Sequence, residues 1–119
     1  MSAANKAKGS KWEIDLENYF NNVGLHARRL PRAGSKDIGD VSVTVKDFTL
    51  VIEAKNVKSV DMAEFLRQAL IESENYEVKY GVPTVPIVIV KARQKNVAEG
   101  RVTMTVETLV DLLRLGGLV

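Results

Sequence analysis

Residues 38–55 set the narrowest limits on what this chain can fold into. Two runs, Ile38-Gly39-Asp40-Val41-Ser42-Val43-Thr44-Val45 and Phe48-Thr49-Leu50-Val51-Ile52-Glu53-Ala54-Lys55, flank a polar turn at Lys46-Asp47. Both are rich in β-branched residues, so they predict two antiparallel strands with a short connection. Side chains two apart on a strand share a face. Val41, Val43 and Val45 therefore point one way and Asp40, Ser42 and Thr44 the other, and Glu53 and Lys55 share a face. A turn symmetric about Lys46-Asp47 pairs Val45 with Phe48 and sets Asp40 opposite Glu53.

Directly opposed side chains in a hairpin have Cβ atoms roughly 5 Å apart, close enough for two carboxylates to share one ion. Left alone, such a pair repels and each carboxylate raises the other's pKa, a cost that a divalent cation removes. Hard oxygen ligands suit Mg²⁺ or Mn²⁺. Lys55, one pleat along, is positioned to orient or deprotonate a water, or to stabilise charge on a phosphate. The chemistry implied is metal-assisted phosphodiester hydrolysis.

An acidic residue, a hairpin turn and then Glu-x-Lys resembles the PD-(D/E)xK nuclease superfamily, with Asp40 as the lone aspartate and Glu53-Ala54-Lys55 as the ExK element. More of the chain fits one branch: Lys8-Gly9, Glu13 on a helix, Gly24 to Arg28, Arg29-Leu30-Pro31 and Gly34-Ser35. This ordered run over about residues 8–70 resembles the archaeal or phage-type Holliday junction resolvases. Two departures stand out. The chain has Gly39-Asp40 where the superfamily often has Pro-Asp, and Asp37-Ile38 offers a competing match. Strand parity favours Asp40, because residue 37 would share the core face with Val41 and lie beyond the paired region.

The resemblance implies an α/β, restriction-endonuclease-like mixed β-sheet flanked by helices. It implies a catalytic set of Glu13, Asp40, Glu53 and Lys55. Asp40, Glu53 and the Ala54 carbonyl would hold Mg²⁺, with Mn²⁺ as a substitute, and Glu13 would complete the shell. In-line attack would leave a 3′-hydroxyl and a 5′-phosphate on branched DNA such as a four-way junction, in recombination and repair. A two-fold homodimer follows from the substrate's symmetry. The DNA-binding candidates are Lys8, Lys11, Arg28, Arg29, Arg32, Ser35 and Lys36, together with Gln68, a polar helix residue of the kind related nucleases bring to the site.

Composition bounds the rest. At 119 residues the chain makes one domain, expected as a flexible tail over residues 1–9 and a nuclease domain over 10–119. No apolar run approaches the roughly 18 residues of a membrane span, and Met1 to Ser10 lacks a secretory h-region. Without cysteine there are no disulfides or Cys-based zinc sites, which agrees with the cytoplasm of a prokaryotic cell or phage-infected host. Residues 1–36 carry seven basic and three acidic residues, and the remainder ten and twelve. A basic first third beside an acidic pair suits a phosphate-cleaving enzyme, although the same asymmetry also describes an ordinary solvated surface.

Along the chain, Ser10 can cap a helix whose positions Trp12, Leu16, Tyr19, Phe20 and Val23 recur at helical spacing, with Gly24 as its stop. That stripe assigns Trp12 to the core rather than to base stacking. Glu13 and Glu17, one turn apart, read by helix spacing alone as a solvated pair, and it is the resemblance that singles out Glu13. Leu25 to Leu30 predicts a strand on which His26, with no second ligand nearby, is a surface residue. Residues 31–39 form a loop. Asp61 caps a long helix ending near Gly81, with Met62, Phe65, Leu66, Ala69, Leu70 and Ser73 as its buried stripe. The apolar run Val85 to Val90 predicts a strand covered on both faces. A basic turn at Lys91, Arg93 and Lys95, a strand over 101–106 and a helix over 107–115 complete the order. The segment 109–119 is a candidate dimer surface or a cap on the sheet. Two further readings stay open: a nuclease of the same chemistry acting on flaps, overhangs or duplex DNA, and a non-catalytic DNA-binding module of the same fold.

Overall fold

The computed structural model describes residues 3–32 and 36–119. Its elements run α1 (Ala3–Asn22), β1 (His26–Arg29), β2 (Val41–Val45), β3 (Phe48–Lys55), α2 (Met62–Tyr80), β4 (Thr84–Val90), a short 3-10 turn at Val97–Glu99, β5 (Arg101–Thr103) and α3 (Val106–Leu115). The five strands form one mixed sheet in the order β1-β2-β3-β4-β5. Neighbours are antiparallel except β3 and β4, which run parallel and are joined through α2, the long connection that parallel strands require.

Alternation along the central strands divides the core between the two faces of the sheet. Val41, Val43, Ile52, Ala54, Ile87 and Ile89 pack with Trp12 and Leu16 of α1, and Leu112 of α3 leans on the same cluster. Val88 and Val90 turn the other way, onto Phe65 and Ala69 of α2. This explains the continuous apolar run of β4, which is buried on both sides. Trp12 is 1% exposed, and its indole N–H donates to the Ile89 carbonyl at 3.3 Å. It is therefore a core residue with its polar atom satisfied.

Two expectations need correction. The first helix begins at Ala3, not after a flexible tail ending at residue 9. Ala3, Ala4, Lys6, Ala7 and Lys8 are strong helix formers and continue the helix N-terminally through Gly9 and Ser10. The buried stripe of α2 is Phe65, Ala69, Glu72, Ser73 and Tyr76, while Leu70 is 50% exposed. The apolar pattern at 69–71 misplaces the stripe by part of a turn, because polar residues at 72 and 73 occupy the side facing the sheet. On α1, Tyr19 and Val23 are likewise exposed.

Lys46-Asp47 connects the paired residues Val45 and Phe48, as the symmetric turn requires. Lys46 adopts φ 50°, a left-handed conformation that costs an L side chain about 1 kcal/mol. Lys46→Gly should therefore stabilise the protein by about 0.5 kcal/mol after the added unfolded-state entropy is offset. Chemical denaturation with an unchanged slope would measure it, and a loss of stability would count against the turn geometry.

Candidate active site

Three pieces of chain converge beyond the ends of β2 and β3. At the start of β2, Gly39 has φ 101°, and a Cβ there would lie 2.7 Å from Val51 Cγ1. Proline, fixed near −65°, cannot adopt that conformation, which accounts for Gly39-Asp40 in place of Pro-Asp. The Asp40 N–H donates to the Ile52 carbonyl at 2.9 Å although Ile52 is the register partner of Val41. Two residues thus oppose one, as in a β-bulge, which re-aims a side chain at a strand end. Asp40 Oδ2 then accepts the Ala54 N–H at 2.9 Å.

The Asp40 carboxyl lies within hydrogen-bonding reach of Glu53. Both residues are 6% exposed. Burial, followed by the Glu53 carboxyl and its charge, pushes the Asp40 pKa up to about 8; the Ala54 N–H opposes this. Lys55 Nζ stands 3.7 Å from Glu53 Oε1 and 4.9 Å from the centre of the Phe65 ring, which holds the ammonium beside the acid pair.

Glu13 approaches from α1 and is 3% exposed, but its partners are arginines. Arg29 Nη2 reaches Oε1 at 3.3 Å, and Arg32 Nη2 contacts Oε2 while also donating to Asp40 Oδ1 at 3.1 Å. Burial works against the Arg32 charge, yet Asp40 and Glu13 outweigh it and raise its pKa. Among the described residues, no group of three His, Cys, Asp or Glu side chains is arranged to hold a metal ion. Of the expected shell, Glu13 is paired with Arg29 and Arg32, and the Arg32 guanidinium stands between Glu13 and Asp40. Glu17, its neighbour one turn on, accepts the Arg29 backbone N–H at 2.7 Å and ties α1 to the β1 edge.

One acidic residue was not anticipated. Glu72 of α2 is 6% exposed, and its carboxyl lies within hydrogen-bonding reach of Glu53 and Asp37. Burial first, then those two acids, pushes its pKa up to about 11, and its Oε1 has no hydrogen-bond partner. Its spacing offered a signal: position 72 lies seven residues after Phe65 and three after Ala69, on the face that packs against the sheet. Asp37 itself is exposed in the loop; its Oδ1 accepts the Gly39 N–H at 2.9 Å, and its carbonyl accepts from Asn75 of α2 at 2.8 Å.

Above the acids opens a cleft of about 760 Å³, with Glu13, Arg32, Asp40, Glu53 and Lys55 in its wall. The first turns of α1 form the opposite side, bringing Lys6, Lys8 and Ser10 to the cleft, and Lys58 follows from the loop after β3. Lys8 and Arg32 thus reach the cleft as DNA-binding candidates, and Lys36 lines a smaller adjoining hollow with Arg32. The others stand apart. Lys11 is exposed and paired with Asp15 at 2.9 Å. Arg28 is exposed on β1, where strand alternation separates it from Arg29. Gln68 donates to Glu64 at 3.3 Å, one turn back on α2, and does not line the cleft; from that helix it is Glu72 that reaches Glu53. Ser35 lies outside the described residues.

No protein-family model matches the chain, and no curated protein matches it in sequence. Among solved structures, it is similar to Hjc of Archaeoglobus fulgidus, a Holliday junction resolvase from an archaeal hyperthermophile, at 19% identity and a TM-score of 0.52. The similarity covers 84% of this chain and 90% of that one. At this identity the likeness bears on architecture: the α/β fold, a mixed five-stranded sheet flanked by helices, is one this chain shares with that resolvase structure.

Proposed function

We propose that the protein is a Mg²⁺-dependent endonuclease that cuts branched DNA, four-way junctions foremost. The observation that carries the reading is the buried pair Asp40–Glu53 at the floor of a lysine-rimmed cleft, with the Lys55 ammonium beside it. Two adjacent carboxyls, the Asp40 pKa lifted first by burial and then by Glu53, form a hard oxygen donor set that fits a divalent cation. Asp40 and Glu53 would hold the ion, aided by the Ala54 carbonyl. A bound cation supplies charge neutralisation and lowers the pKa of its water. The chain's own groups do the rest. Lys55 donates to a phosphate oxygen or takes part in preparing the water, and the Ala54 N–H fixes the Asp40 carboxylate in place. Lys6, Lys8 and Lys58 neutralise the phosphodiester backbone at the rim.

Substrate preference rests on the similarity to the resolvase and on an exposed apolar surface. Leu109 (43% exposed), Val110 (37%) and Leu115 (38%) of α3, with Leu118 (74%) beyond it, offer a face for a two-fold dimer that would set two clefts against the two strands to be cut. Among the described residues no helix is long and apolar enough to cross a membrane.

The test is a panel of labelled four-way junctions, flaps, overhangs and duplexes incubated with Mg²⁺, Mn²⁺ or EDTA. Junction cutting that requires a divalent cation is the expected result. Equal cutting of every substrate would remove the junction preference. Binding without cutting in either metal would leave a DNA-binding module.

A further inference from the structure

We propose that Arg32 is a positioning residue displaced by the cation: it is hydrogen-bonded to Asp40 in the metal-free protein and is released to the DNA backbone when a divalent ion takes its place. The inference rests on the reading of Asp40 and Glu53 as the metal-holding pair. Three observations support it. First, the Arg32 guanidinium reaches inward from a side chain that is 67% exposed to touch two buried carboxyls, Glu13 and Asp40. Arg32 donates to Asp40 Oδ1 at 3.1 Å, so a cation that takes up the Asp40 oxygens has to break this contact. Second, Glu13 has another partner in Arg29 at 3.3 Å, so the departure of Arg32 leaves it paired. Third, Arg32 forms part of the wall of both the main cleft and a neighbouring hollow of about 240 Å³. That hollow is also lined by Lys36 and Asp37, and Asp37 already attracts the guanidinium. An acidic neighbour outside the cleft floor is therefore available to the released guanidinium.

The consequence is thermodynamic coupling. A cation at Asp40 places like charge beside Arg32, and the repulsion favours the outer position. In the outer position the guanidinium is a free phosphate clamp. Cation binding then raises DNA affinity, and by linkage DNA raises cation affinity by the same factor.

The experiment measures Mg²⁺ affinity without DNA by calorimetry for the wild type, Arg32→Ala, Arg32→Gln and Asp40→Asn, with melting temperatures to verify folding. Both Arg32 variants should bind Mg²⁺ about tenfold more tightly than the wild type, because no ion pair has to be broken, and Asp40→Asn should bind it far more weakly. Junction affinity, measured with and without Ca²⁺ on samples verified as uncut, should gain less from the cation in the Arg32 variants than in the wild type. Unchanged or weaker Mg²⁺ binding by both Arg32 variants overturns the displacement while leaving the nuclease reading intact, provided the wild type binds Mg²⁺ and cuts. Mg²⁺ binding that is indifferent to Asp40→Asn overturns both.

Discussion

Asp40→Asn and Glu53→Gln should each reduce junction cleavage by about 1000-fold or more, while junction binding stays the same or tightens. The argument starts from the charge in the floor of the cleft. Asp40 and Glu53 are neighbouring buried carboxyls, and Asp40 is pushed up to about 8 by burial and by Glu53. Neutralising either one removes half of the anionic donor set that would hold a divalent cation, and loss of one electrostatic contact to a reacting centre costs of order 10²–10³ in rate. Loss of the cation removes the activated water as well. Binding responds in the opposite sense, since one fewer negative charge repels the phosphates that the rim lysines attract. The fold should tolerate both changes. An asparagine at position 40 keeps a carbonyl oxygen for the Ala54 N–H, now accepted by Asp40 Oδ2 at 2.9 Å, and its amide can donate to Glu53. Single-turnover cleavage and gel-shift binding on the same junction separate the two effects. Full activity in either variant would remove that residue from the catalytic set.

Legibility in the sequence follows how local the determining physics is. The hairpin could be read because its register depends on a two-residue turn and strand alternation, both of which are properties of adjacent residues: Val45 pairs with Phe48 as the turn demands. Asp40 could be read as Glu53's partner, but not through simple register. The bulge that aims it depends on the positive φ of Gly39 packed against Val51, a contact between different strands. Both faces of β4 were legible from its apolar run. Glu72 was not, because a charged residue on a helix is ordinarily solvated. Only the orientation of α2 against the sheet reveals that it faces Glu53. The α1 contribution was read only in part for a related reason: Lys8 was named as a DNA-binding candidate, but Lys6 resembles a solvated tail until the helix is extended to Ala3 and laid along the cleft. Glu13 was picked out on its family position, yet its arginine partners come from β1 and the following loop, and no helical spacing encodes them.

The same acid cluster makes stability a function of pH, and here the expected effect is nearly as large. Without divalent cations, the protein should be more stable at pH 5.5 than at pH 9, with a fall in melting temperature of roughly 10 °C or more across that interval. Asp40 and Glu72 both have folded-state pKa values raised above the ordinary carboxyl range, to about 8 and about 11. A group of this kind binds its proton more tightly in the folded chain than in the unfolded one. Its stabilising contribution is complete below the unfolded pKa of about 4 and is lost as pH rises through the folded value. For Asp40 the loss runs from about pH 4 to 8; for Glu72 it continues towards 11. Glu53 faces both acids, with Asp37 beside Glu72 and Arg32 and Lys55 as nearby positive charges, so ionisation of either acid at high pH adds like charge to a site where it is poorly hydrated. Glu72→Gln, which keeps a donor towards Glu53 and removes the ionisation, should flatten the profile and melt several degrees above the wild type at pH 9, with little difference at pH 5.5. Addition of Mg²⁺ should stabilise the wild type more at pH 9 than at pH 5.5, because protons and the cation compete for the same oxygens. Thermal melts of the two proteins in EDTA and in Mg²⁺ at both pH values decide the matter. A wild type that melts higher at pH 9 than at pH 5.5 in EDTA, or a Glu72→Gln profile parallel to the wild type, would show that these carboxyls do not carry their protons in the folded chain.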